Sequence, residues 1–186
     1  MSEKPVQSPD GQAAYTVTAR TLHWLVAALV LTQVPLGIVI ANKLGGPLQE
    51  WLYDLHKSFG ALLVPLIFVR VIYRLTHTPE PLPKDVPPMQ QVAARAMHWT
   101  LYTLLILQPM IGWIATSAYP APVPVFHLFN MPLIWPDNRD LSGQLFTIHR
   151  WLGIVIAIVA AGHIGAALHH HFIKKDRILM RMISGT

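Results

Sequence analysis

The stretch TIHRWLGIVIAIVAAGHIGAALHHHF, residues 147–172, is apolar enough to cross a bilayer, yet it carries His149, His163 and the run His169, His170 and His171. An α-helix turns about 100° and rises about 1.5 Å per residue. Fourteen residues from His149 to His163 therefore rotate by roughly 1400°, within about 40° of a whole number of turns, and rise about 21 Å. The two imidazoles share one helix face at two membrane depths. That is the geometry for two metal centres stacked across a bilayer.

Composition narrows the chemistry. The 186 residues are only 12% charged, with a mean hydropathy of +0.41, where a soluble domain carries about 25% charged residues. There are no cysteines, which excludes disulfides, thiolate nucleophiles, iron–sulfur clusters and thiolate zinc sites. Ten histidines remain as the supply of metal ligands. The net charge of +5 does not indicate nucleic acid, because the basic residues sit at the ends of apolar segments and not on one soluble face.

Four apolar runs predict an all-α membrane protein, a four-helix bundle spanning at about 21–41, 52–75, 96–118 and 148–172. The first is too long for a signal peptide and lacks a clear cleavage site. The second has an uncharged centre only from Ser58 to Val69 and spans if Lys57 and Arg70 snorkel. The membrane-spanning core, 21–173, is flanked by tails at 1–20 and 174–186. THTPEPLPKDVPP (76–88) reads as an extended linker. The aromatic, Pro-rich segment 118–143 reads as a cap at the membrane interface. With the N-terminus inside, ten of the 14 basic residues fall on inner segments, including Lys4, Arg74 and Lys84; Lys43, Lys57, Arg139 and Arg150 fall outside. The positive-inside rule thus predicts both termini in the cytoplasm. A weak repeat, HW…P…G…H[KR]xxG, covers helices one and two (His23, Pro35, Gly37, His56, Gly60) and again helices three and four (His98, Pro109, Gly112, His149, Gly153).

Haem iron accepts an axial histidine on each face, and its macrocycle fits between bundle helices. Topology supplies the partners. His56 opens helix two on the outer side and matches His149. His23 and His98 both lie on the inner side and either matches His163 by depth. Gly60 and Gly153, one turn after the outer histidines, leave room for a porphyrin or for close helix packing. His77 and His127 read as interfacial polar residues.

In order along the chain, LHWLVA (22–27), YDLHKSFGALL (53–63), FVRVIYRLTHTPEPLP (68–83), AMHWTLYTLLILQPMIGW (96–113) and HHHFIKKDRILMRM (169–182) resemble the bacterial cytochrome b561 family, four-helix dihaem proteins of the inner membrane. The resemblance covers about residues 15–182. It implies two haem b, the inner held by His23 and His163 and the outer by His56 and His149. It implies electron exchange with ubiquinone, with His98 and His170 on the quinone side, and in one branch superoxide as the periplasmic donor. Lys57 and Arg150 beside the outer ligands depart from that branch and open the possibility of another donor.

The expected activity is membrane oxidoreduction: electrons pass from a periplasmic-side donor to the quinone pool, with His98, His170 and Arg74 as candidates for quinone hydrogen bonding or proton delivery. Lys57 and Arg150 either steer a small anionic donor such as superoxide, or bind haem propionates or mark the interface. The expected partners are the lipid membrane, quinone and that donor or a redox partner protein, around a monomer or homodimer. The competing functions are a cytochrome b subunit of a larger dehydrogenase and, from a different class, a histidine-rich metal transporter using His169–His171. The C-terminal KKDRILMRM reads as an amphipathic surface helix or a plain topology signal.

Overall fold

The computed structural model describes residues 15–42, 45–78 and 86–185. Lys4, Lys43 and Lys84, used above for orientation, lie outside the described residues, as do most of the N-terminal tail and the centre of the Pro-rich linker.

Four long helices carry the fold: α1 (Val17–Ala41), α2 (Gly46–Thr76), α3 (Pro88–Ala118) and α4 (Arg139–His169). All four are long and apolar enough to cross a membrane. They form because a backbone in lipid must satisfy its own hydrogen bonds. Three begin well before their apolar runs, because their polar first turns are independently helix-compatible. Proline occupies the first turn of α2 and α3, where its missing N–H costs nothing. At α4 the Asn138 Oδ1 accepts from the Leu141 N–H at 3.0 Å, an N-cap.

The helices form two antiparallel hairpins. α1 packs closely on α2 and α3 on α4, while α2 and α4 hardly touch. The α3–α4 seam uses small residues: Ala115 and Ala118 are buried, and the buried Ser142 hydroxyl donates to Ala115 O at 2.8 Å. Large apolar side chains point outward, with Leu31 57% and Ile158 67% exposed. That inverts a soluble fold and is what lipid solvates. The inner cluster is small: Val26, Leu63, Ile67, Leu105 and Ile156, with at least one residue from each helix.

The segment between α3 and α4 is a structured cap. β1 (Val123–Val125) pairs antiparallel with β2 (Phe129–Met131), with Val123 opposite Met131 and Val125 opposite Phe129. The turn between them closes with Leu128 N–H donating to Val125 O at 2.9 Å. Phe126 (φ 48°) and His127 (φ 59°) both take the left-handed conformation there, the pattern of a type I′ turn made without glycine or asparagine. This end of the bundle is called the hairpin end; the opposite one, holding the start of α1, is the termini end. There α4 runs on through a π-helical turn (His170–Lys174), and a short α5 (Ile178–Ile183) follows. α5 folds under α1: Trp24 Nε1 donates to Met182 O at 3.0 Å and Arg20 to Ile183 O at 3.1 Å. The basic C-terminal segment is thus packed, with Arg181 buried, and does more than mark topology.

Candidate functional site

Two pairs of histidine rings face each other inside the bundle. At the hairpin end, His56 of α2 and His149 of α4 have ring centroids 6.0 Å apart with planes at 86°. At the termini end, His23 of α1 and His163 of α4 are 6.3 Å apart with planes at 65°. Midway between His149 and His163 on the same face of α4 lies Ile156, 2% exposed, in the central apolar cluster. The two pairs are thus separated by a layer of packed hydrocarbon.

The separations test what the pairs fit. A metal–imidazole bond of about 2 Å plus the radius of each ring sets two axial centroids about 6 Å apart. Both pairs meet that condition. His98 of α3 also faces His163, but at 5.3 Å, too close for an iron between the rings. His169 and His170 sit 6.2 Å apart; as chain neighbours they leave no gap for a macrocycle. His56 and His149, by contrast, face each other from α2 and α4, separate helices with few close contacts.

Tautomers add a second test. A carbonyl only accepts, so the 3.0 Å contact between His149 Nδ1 and Gln108 O puts the ring proton on Nδ1 and leaves the Nε2 lone pair exposed for coordination. Iron-binding histidines commonly show this arrangement. At His23 the contact runs the other way. The Arg70 guanidinium donates to Nδ1 at 2.9 Å, so iron ligation through Nε2 requires Arg70 to release the ring. Its other nitrogen already reaches Ala19 O at 3.4 Å and its head lies 5.7 Å from the Tyr102 ring. Arg70 therefore does not snorkel outward as its place in the apolar run suggested. No ion pair among the described residues involves it, and a polar contact inside the bundle is what compensates its burial.

A model of the family described as prokaryotic cytochrome b561 matches residues 14–185. The chain belongs to the prokaryotic cytochrome b561 family. This cytochrome is 35% identical to cytochrome b561 homolog 2 of Escherichia coli K12, over 91% of this chain and 90% of the relative. It is 30% identical to the "Probable superoxide oxidase CybB" of Yersinia pestis, over 87% and 91%. It is 27% identical to cytochrome b562 of Cereibacter sphaeroides, over 92% and 96%. It is accordingly a membrane electron-transfer protein of a family that binds haem b.

The remaining predicted residues are placed as follows. His170 Nδ1 pairs with Asp176 Oδ2, so this histidine has an acidic partner that the apolar run did not reveal. Arg74 lies one turn beyond Arg70 on α2. Lys57 is no free cation: its ammonium donates to Pro122 O at 3.2 Å and lies 3.7 Å from Asp54. Arg150 is exposed. His77 stacks on Tyr73 at 4.0 Å, and His127 occupies the hairpin tip. Among the described residues no group of three or more His, Asp or Glu side chains is arranged to hold a bare metal ion.

Gly60 and Gly153 take the close-packing role, one of the two readings their position allowed. A Cβ on Gly60 would meet Gln33 Nε2 at 3.3 Å, and one on Gly153 would meet Gln108 Nε2 at 3.4 Å. These are helix-packing positions filled by glutamines. The glycines against the histidine rings are Gly37, 3.3 Å from His56 Cε1, and Gly112, 2.9 Å from His149 Cε1. The missed signal was a glutamine four residues before each of them, in QVPLG (33–37) and QPMIG (108–112).

Proposed function

We propose that this cytochrome carries electrons across the bacterial inner membrane, between a donor at the hairpin end and ubiquinone at the termini end. His56 with His149 holds one haem b and His23 with His163 the other. The observation that carries this is the repeated facing of imidazoles at 6.0 and 6.3 Å, on opposite sides of a packed apolar layer. Each pair would supply two imidazole ligands to a haem, which would then support reversible one-electron transfer and not oxygen binding. Ile156, Ile67 and Leu63, all nearly inaccessible, keep water out of the region between the sites.

Quinone reduction takes up protons as well as electrons. His98 beside His163, the His170–Asp176 pair and Arg74 are the polar groups available for this at the termini end. Both termini lie on the cytoplasmic side and the hairpin on the periplasmic side, by the positive-inside rule. The naming of a relative as a superoxide oxidase favours superoxide among small anionic donors.

The test is a reduced-minus-oxidised spectrum of the purified protein with haem and protein quantified on one sample. Two b-type haems per chain are expected. H56A and H149A should each lose the same haem, H23A and H163A the other, and H98A should keep both. A chain purified without haem under haem-replete expression overturns the reading. H98A losing a haem while H23A keeps both reassigns the inner site.

A further inference from the structure

The two halves of the bundle repeat a clasp that the haem ligands alone do not require. In the first hairpin, Gln33 Nε2 donates to the backbone carbonyl of His56 at 2.8 Å. In the second, Gln108 Nε2 donates to that of His149 at 2.9 Å. A carbonyl accepts only, so the amide nitrogen must face it in both cases. Each glutamine's Oε1 is then left buried with no hydrogen-bond partner among the described residues.

The glycines explain how each clasp closes. In a helix the carbonyl of residue i is screened by the side chain at i+4. Gly60 and Gly153 stand at i+4 from His56 and His149, and they uncover those carbonyls for the glutamines. Reciprocally, Gly37 and Gly112 stand at i+4 from Gln33 and Gln108 and receive the imidazole rings. QxxxG on one helix meets HxxxG on its antiparallel partner, in each hairpin. Among the described residues, the histidine pair at the termini end has no such clasp.

We infer that Gln33 and Gln108 are a symmetric pair of positioning residues for the hairpin-end haem, setting the azimuth of its two axial imidazoles and its reduction potential. The inference rests on the ligand assignment above. Each amide pins the main chain from which a ligand ring projects, and the glycine under that ring limits its rotation. Each also leaves an unneutralised oxygen inside the protein close to the ligand histidine. In a low-dielectric interior such a dipole end favours the ferric state. Replacing the amide by a hydrocarbon of similar size removes both effects.

The experiment uses the full-length haem-loaded protein in detergent, with Q33L, G60A and the double variant compared by low-temperature EPR and redox titration. H56A identifies which signal belongs to the hairpin-end haem. The expected result is two haems per chain in every clasp variant, a moved hairpin-end EPR signal, and a raised midpoint potential for that haem only. G60A, which drives a Cβ against the Gln33 amide, should reproduce the change, and Q33L with G60A should be no worse than either alone. If Q33L does not accumulate, G60A decides by the same criteria. Unchanged signals and potentials at full haem content, or equal shifts at both haems, overturn the inference. H56A retaining both haems overturns the ligand assignment itself, and that outcome is read independently of any clasp variant.

Discussion

At the residue scale, the hairpin-end site is decided by fractions of an ångström between glycine and imidazole. Adding a methyl at Gly112 forces the His149 ring, 2.9 Å away, to move, and overpacking of this kind costs about 1–3 kcal/mol. At Gly37 the corresponding contact is 3.3 Å, and alanine's better helix propensity, worth about 1 kcal/mol, offsets the strain. G112A should therefore lower hairpin-end haem occupancy, while G37A stays near wild type; haem per chain and thermal melts read the difference. Equal loss in both would show that the rings relax freely. The same scale explains what the residue pattern alone left open. Depth along the helices could not separate His23 from His98, because both sit on the same membrane side. Their ring distances to His163 differ, 6.3 Å from His23 and 5.3 Å from His98, because these depend on where α1 and α3 stand relative to α4.

At the element scale, the β-hairpin is held to α2 beside His56. The Ser58 hydroxyl accepts from Phe126 N–H at 2.9 Å and donates to Pro124 O at 3.1 Å, Lys57 holds Pro122 O, and Phe59 packs edge-on against Phe126. S58A leaves the Phe126 N–H and the Pro124 carbonyl without this partner, a loss of about 1–3 kcal/mol. It should speed amide exchange across 122–131 with both haems retained. Unchanged exchange would mean the strands alone hold the cap. The turn itself is strained, because bulky residues in the left-handed region cost roughly 1–2 kcal/mol each. Replacing His127 by glycine (H127G) should slow amide exchange of the strands, as it removes strain at the tip and leaves the Phe59–Phe126 contact in place. Proline and aromatic content marked this segment as a cap. Its strand register was not legible, because it is set by Ser58 and Lys57 on a distant helix.

At the scale of the whole molecule, the electric field at the hairpin end is less positive than a count of bases suggests. Asp54 and a carbonyl partly use up Lys57, so the exposed Arg150 carries more of any steering. With superoxide as the donor proposed above, R150E should slow its oxidation about tenfold at low ionic strength, with the difference shrinking as salt is raised. K57E should disturb the cap as well, visible as faster exchange of residues 122–131. If R150E is silent at low salt with intact haem spectra, steering by this residue is wrong. The bundle's overall form was largely legible beforehand. Four uncharged runs of bilayer length leave the backbone no alternative to helices, and the fourteen-residue spacing puts two imidazoles of α4 on one face by helix geometry alone. What the sequence by itself determined were the properties that follow from chain periodicity and from solvation in lipid: the helices, their number and the two levels of histidine. Only the tertiary structure decided which histidine faces which, that Gly60 and Gly153 receive glutamines, that Arg70 turns inward, and that His170 finds Asp176. Those are relations between separate segments, fixed by how the helices rotate and approach one another, and no local pattern encodes that rotation.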